Sequence, residues 1–306
     1  MGGRPEADIT TLPGVSSGDI LHDAGWMAGS GAKSVHLGEA EFCEQSLELV
    51  QRARDEGVPI RILGAMAVYI HASHRPESLQ RYRALERLGP GRPLFTDLDV
   101  VGYGDRQKET ARFFQETMRF TPDFHVNALF SGRRNVFRHP DGLFDVDVFY
   151  DLLSFSHEVR FRGSIDGDRL ELDFPTISLA DLVLEKLQIH QINHKDLVDL
   201  FLLLSTHDVA SGPEPDKVDG TYIARVLRRD WGFEYDARSN LQKVRGLAEH
   251  VVAENRATAE ERERVGVGIR QLVQLIDHEP KTKEWQKRAK KGTSKPWFNE
   301  VDEIER

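Results

Sequence analysis

The sequence predicts an α/β (α+β) fold, in which a mixed sheet flanked by helices is followed by a helical C-terminal region. Three observations predict it. Residues 96–101 and 144–151 alternate apolar and polar side chains with the period of two of a strand. A strand-like run at 59–63 turns at Gly64 into a helical pattern, and from about residue 176 apolar positions recur at helical spacing. The organisation that follows is an N-terminal arm over 1–38, an α/β core over 39–175 and a helical domain with a basic tail over 176–306.

In chain order, residues 1–38 are rich in Gly, Ser and Thr with little periodicity. Over 39–56, Phe42, Leu47, Leu49, Val50 and Ala53 recur among charges, and Gly57 follows as a stop, so a helix is predicted there. The short strand at 59–63 is followed by a second helix. Residues 71–93 are polar and basic and read as a helical excursion. The strand at 96–101 leads into an amphipathic helix at 106–120 that carries Phe113, Phe114 and Met118. Strands are expected at 123–130, 135–138 and 142–150, the first two separated by a turn at 131–134, and a further strand at 170–174. Ser178 caps a helix over 179–191, and Asn193 caps the next, whose Leu197, Leu200, Phe201 and Leu204 face a core. A loop at 211–219 precedes helices at 221–231, 240–252 and 259–277.

Composition sets the class. With 39% hydrophobic and 30% charged residues, 306 residues can bury a sizeable core in one large or two modest domains. No apolar run approaches the roughly 20 residues a membrane helix needs, and the start lacks the basic-then-apolar order of a signal peptide, so a cytoplasmic protein with no membrane partner is expected. Cys43, the single cysteine, can form neither an intrachain disulfide nor a thiolate zinc cluster. The formal net charge of −9 argues against a protein that coats nucleic acid, yet between Lys281 and Lys295 seven basic residues face one acid, Glu284. That stretch, with Trp285 and Trp297, reads either as a solvated helix end or as a track for a nucleic-acid backbone.

The chemistry is concentrated in carboxylates. Alternation puts Asp97 and Asp99 on one face of their strand, with Leu98 and Val100 on the other. The second acidic strand repeats the pattern, with Asp145, Asp147 and Asp151 opposite Phe144, Val146, Val148 and Tyr150. A single D-x-D is as readily an exposed strand end. Two acidic strands side by side would gather three or four carboxylates, which stability does not require and a two-metal site does. Gly64, at a strand-to-helix turn, either makes the turn or lets backbone amides approach a phosphate. Lys186 falls within the apolar stripe of its helix and needs anionic partners there, protein carboxylates or a bound phosphate. Asp196 and Asp199 lie side by side on the following helix, and His190 and His194 are separated by a helix break that argues against a shared metal.

These residues together resemble the nucleotidyltransferase superfamily, with its polymerase-beta-like fold, and the stretch from about Ile60 to Leu204 is most similar to the abortive-infection (AbiEii-like) branch of toxin–antitoxin systems. Leu63-Gly64-Ala65-Met66 resembles the family's glycine turn, Thr96-Asp97-Leu98-Asp99 its metal-binding strand, and Asp147 (or Asp145) its third carboxylate. Leu182 to Leu187 and Lys195 to Leu200 resemble its lysine helix and the acidic helix after it. The chain departs from the pattern at Ala65, where a second small residue, Gly or Ser, is usual, and in the long stretch between Gly64 and Asp97. The resemblance implies a nucleotidyltransferase core over 39–175 and transfer of a nucleoside monophosphate from a nucleoside triphosphate. It implies Mg²⁺ or Mn²⁺ on Asp97, Asp99, Asp147 and Asp145; Asp97, Asp99, Asp147 and Lys186 as catalytic residues; and Gly64, Ala65, Lys186 and Asp196 around the nucleotide. The acceptor it implies is a transfer RNA, a protein or a small hydroxylated molecule, as in aminoglycoside adenylyltransferases, and an antitoxin protein is an expected partner. The alternative is a non-catalytic nucleotide-binding or partner protein of the same fold.

Overall fold

The chain folds around two neighbouring strands that run parallel. The structure is a computed structural model and describes residues 37–300. All but the last two residues of the arm expected over 1–38 therefore lie outside the described residues, as do 301–306 of the tail.

Helix α1 (Glu39–Asp55) buries Phe42, Cys43, Ser46, Leu49, Val50 and Ala53 along one stripe. Glu39 and Glu41 sit at its N-terminal end and Arg52 and Arg54 at its C-terminal end, each on the side that complements the helix dipole. The chain then enters β1 (Ile60–Ile62) and α2 (Gly64–Ala72), as the sequence predicts. Helix α3 (Pro76–Ala84) starts on a proline, whose missing N–H costs nothing at a first turn.

Strands β2 (Asp97–Gly102), β3 (Thr121–Pro122), β4 (Arg134–Arg138) and β5 (Asp145–Tyr150) join β1 in a mixed five-stranded sheet of order β1-β2-β5-β4-β3. Only the β2–β5 pair is parallel; the others are antiparallel. Leu98, Val100, Val146 and Val148 are fully buried on one face of the central pair. Phe137 stands opposite Val146 and stacks on Phe114 with ring centroids 4.7 Å apart, so the aromatic segment after β2 covers the face away from the acids.

Three expectations differ in the structure. The helix predicted over 106–120 is a 3₁₀ turn, then α4 (Gln107–Arg112), then a π-turn (Phe113–Thr117) that places Phe113 and Phe114 together in the core. The strand expected over 123–130 is instead a short helix, α5 (Phe124–Leu129). Asp123 accepts hydrogen bonds from the His125 and Val126 amides, and this cap overrides the β-propensity of the run, leaving Phe124 77% exposed. No strand forms over 170–174. The backbone just beyond bonds to the free edge of β1, with Ile62 N donating to Pro175 O and Ile177 N to Ile62 O.

Two small two-stranded pairs follow, β6 (Leu152–Ser154) with β7 (Glu158–Arg160) antiparallel and β8 (Val209–Ala210) with β9 (Val218–Asp219) parallel. Ser178 and Asn193 cap α6 (Leu179–Leu187) and α7 (His194–Thr206) through their side chains, as expected, although α6 stops four residues short of the predicted end. Both helices pack against α2. Helices α8 (Gly220–Leu227), α9 (Trp231–Ala253), α10 (Ala259–His278) and α11 (Lys283–Ala289) complete the chain, α10 opening on a capping box of Thr258 and Glu261. One continuous hydrophobic cluster runs from Phe42 in α1 to Ile276 in α10. No helix among the described residues is long and apolar enough to cross a membrane.

Candidate functional site

The parallel pairing of β2 with β5 sets Asp97 opposite Asp145 and Asp99 opposite Asp147. The two acidic alternations therefore lie on one face of adjoining strands. Carboxylate oxygens of Asp97, Asp99 and Asp147 all come within 4.8 Å of one another, and these three are the group of possible metal ligands that converges among the described residues. Asp145, expected at the metal, pairs with Asp97 in register but is not one of the three.

Such a cluster opposes itself. Burial, followed by the charges of Asp97, Asp147 and Glu185, drives the Asp99 carboxyl well above the ordinary carboxylate range, and Lys186 only partly counters them. Asp147 is 2% exposed and takes a two-pronged bond from Arg134, whose Nη2 donates to Oδ2 at 2.7 Å and Nε to Oδ1 at 3.3 Å. The Arg134 guanidinium also lies over the rings of Phe130 and Phe149. Thr96 donates its hydroxyl to Asp97 Oδ1 at 3.0 Å. An all-oxygen set with no His or Cys fits a hard cation such as Mg²⁺ or Mn²⁺ better than Zn²⁺, and a divalent charge would relieve the repulsion that raises Asp99.

Gly64 forms the floor. Its φ of +69° lies in the left-handed region, and a β-carbon there would stand 2.7 Å from Asp99 Oδ2. Leu63 N donates to Asp99 O at 3.0 Å, which fixes the strand-to-helix turn beside the carboxylate. The Gly64 amide, expected to face a phosphate, donates to Glu185 Oε2 at 3.1 Å. Ala65 follows, half-buried in the first turn of α2.

Lys186 is 5% exposed, and its ammonium meets Glu185 at 2.9 Å, Asp199 at 3.2 Å and Asp196 at 3.5 Å. Burial alone would lower its pKa; the three carboxylates together hold it well above its ordinary value. Asp199 is fully buried and also receives Arg87 Nε at 2.8 Å, Arg87 Nη2 at 3.2 Å and Tyr82 Oη at 2.6 Å. Against the cost of burial, Arg87 and Lys186 bring its carboxyl down to about 2. Of the two partners the sequence allows Lys186, carboxylates and phosphate, the structure supplies carboxylates. Asp196, expected near the nucleotide, belongs to this same network. The links run from Arg87 through Asp199, Lys186 and Glu185 to the Gly64 amide, which abuts Asp99.

Glu185, Arg134 and Arg87 are the residues that the sequence does not single out. Glu185 adjoins Lys186 in a helix buried throughout that also carries Asp181, and a further charge in such a helix is the signal that could have pointed to it. Arg134 lies in what reads as a polar turn. His190 and His194 do not share a site, because His190 bonds to Asp236 and His194 to the carbonyl of Leu85. Compared with protein-family models, curated proteins and solved structures, the chain matches none of them.

Proposed function

We propose that the chain is a metal-dependent nucleotidyltransferase of the polymerase-beta-like kind, which moves a nucleoside monophosphate from a nucleoside triphosphate to an acceptor. One observation carries the reading: the in-register pairing of two acidic strands, which gathers Asp97, Asp99 and Asp147 next to a glycine whose missing side chain admits Asp99. Asp97, Asp99 and Asp147 would hold Mg²⁺ or Mn²⁺, which when bound supplies charge neutralisation for a triphosphate. In the transfer an acceptor oxygen forms a bond to the α-phosphorus, the bond from that phosphorus to the bridging oxygen of the β-phosphate breaks, pyrophosphate leaves and the acceptor proton is lost to solvent. In this scheme Lys186 is a positioning residue. It holds Glu185, which holds the Gly64 amide, which keeps the turn against Asp99.

Acceptors that suit this chemistry are a transfer RNA, a protein or a small hydroxylated molecule, and a toxin-like role with an antitoxin partner follows from the AbiEii-like resemblance. Incubating the chain with Mg²⁺, each α-phosphate-labelled nucleoside triphosphate and, separately, an RNA pool, a protein pool and aminoglycosides tests this. Label in one acceptor, lost in the Asp97→Asn/Asp99→Asn chain, supports the proposal; no label in any acceptor with any nucleotide overturns it. A second reading, a non-catalytic partner protein, is favoured by the charges that already answer one another, Arg134 on Asp147 and three carboxylates on Lys186.

A further inference from the structure

The end of the described chain carries charge that the fold does not use. Lys283, Lys287, Lys290, Lys291 and Lys295 are exposed, and among the described residues none of them pairs with a carboxylate. Their neighbours do structural work instead. Lys281 meets Glu234 at 2.8 Å, and Arg288 donates to the carbonyls of Gly292, Lys295 and Pro296.

Lys283 is the first residue of α11, beside Glu284, and Lys287 lies one turn on in the last turn, where the helix dipole favours a cation. Lys290 and Lys291 continue in helical backbone, so Lys283, Lys287 and Lys291 stand at successive one-turn intervals of roughly 6 Å.

The segment is also fixed in place. Trp297 Nε1 donates to Asp236 at 3.1 Å, and that buried carboxylate also bonds His157 at 2.8 Å and His190 at 3.0 Å. Phe298 stacks on His190 with centroids 3.6 Å apart, Asn299 N donates to Ser156 O, and Thr282 N donates to Arg228 O. Beside this latch Tyr235 is 45% exposed, stacked on Trp231 and in edge contact with Trp297, while Arg288 lies over the Trp231 ring.

A row of exposed lysines on a segment that Arg288 and Trp297 join to an aromatic cluster with an accessible ring is what a single-stranded nucleic acid recognises: phosphates along the row, a base on the ring. A membrane surface would ask for an exposed apolar face on α11, and its Trp285 and Ala289 are half-buried. We infer that this platform binds a single-stranded nucleic acid, with Lys283, Lys287 and Lys291 on backbone phosphates and Tyr235 under a base. The platform shares no residue with the acidic site, so the inference stands or falls apart from the proposed transfer.

Fluorescence anisotropy of a labelled oligouridine RNA of about 20 nucleotides, titrated with the full chain over a salt series, tests it. The wild-type chain should bind at low salt. Lys283→Gln, Lys287→Gln and Lys291→Gln together should leave the melting temperature unchanged and weaken binding at least about tenfold. They should also make the slope of log affinity against log salt shallower by about 2, since each single-strand phosphate contact contributes roughly 0.7. Tyr235→Ala should weaken binding about fivefold or more with little change of slope. A wild-type chain that does not bind, a triple variant that binds with the same affinity and slope, or binding to anionic vesicles without binding to RNA would each overturn the inference.

Discussion

A β-carbon on Gly64 would stand 2.7 Å from Asp99 Oδ2, so a side chain there would force the carboxylate at the centre of the acidic cluster to turn aside. Gly64→Ala meets two penalties, the left-handed φ of +69° and this contact. We expect it to cost about 2–3 kcal/mol in the wild-type chain and about 1 kcal/mol in an Asp99→Ala background, where only the backbone penalty survives. Urea unfolding of the four chains measures the coupling, and equal costs in both backgrounds would show that the close approach carries no energy.

The raised carboxyl of Asp99 gives a prediction of opposite sign. A group whose folded pKa lies above its unfolded value contributes stability that is full below the unfolded value and is lost as pH rises through the folded one. The metal-free chain should therefore lose stability as pH rises from about 4 towards neutrality through this group. Asp99→Asn removes the repulsion from Asp97, Asp147 and Glu185 and should raise the metal-free melting temperature at neutral pH by about 2 °C or more. The gain should shrink at acid pH. A variant that melts lower at neutral pH would contradict the assigned repulsion.

Much of this was legible in sequence and some was not, for identifiable reasons. The β2 and β5 alternations are local, so the acidic faces of Asp97, Asp99 and Asp147 were readable; which strands adjoin, and that they run parallel, follows from long-range pairing. Asp145 and Asp147 alternate identically, and only the folded site separates them. The helix at 124–129 was missed because a single Asp123 cap outweighs an apolar run. Glu185 reaches a Gly64 amide 121 residues away and Arg87 reaches Asp199 112 residues away, contacts that no periodicity encodes. Lys186 was recognisable as a buried cation in need of anions, but the sequence did not say which anions.

Those anions govern what Lys186→Met should do. Removing the ammonium strands Glu185 and Asp196 and leaves Asp199 to Arg87 and Tyr82, at an expected cost of about 3–5 kcal/mol at neutral pH. The wild-type stabilisation it removes needs an ionised Asp199, so the loss relative to wild type should narrow as pH falls towards about 2. In the wild type, Asp199 has a depressed pKa, so its contribution is present above the unfolded carboxylate value and is lost only as pH falls towards about 2. Chemical unfolding of both chains at several pH values measures the difference. A loss independent of pH would assign Lys186 a packing role only.

Whether Asp97, Asp99 and Asp147 hold a divalent metal is read by titrating Mn²⁺ into the chain and following free metal by electron paramagnetic resonance. The wild-type chain should take up Mn²⁺ saturably, with Mg²⁺ displacing it and a non-hydrolysable nucleoside triphosphate strengthening its binding. In the Asp97→Asn/Asp99→Asn chain, which should stay folded, affinity should fall at least about tenfold, a loss of roughly 1.4 kcal/mol. Equal uptake by the two folded chains, or none by the wild type, would contradict a metal site on these residues.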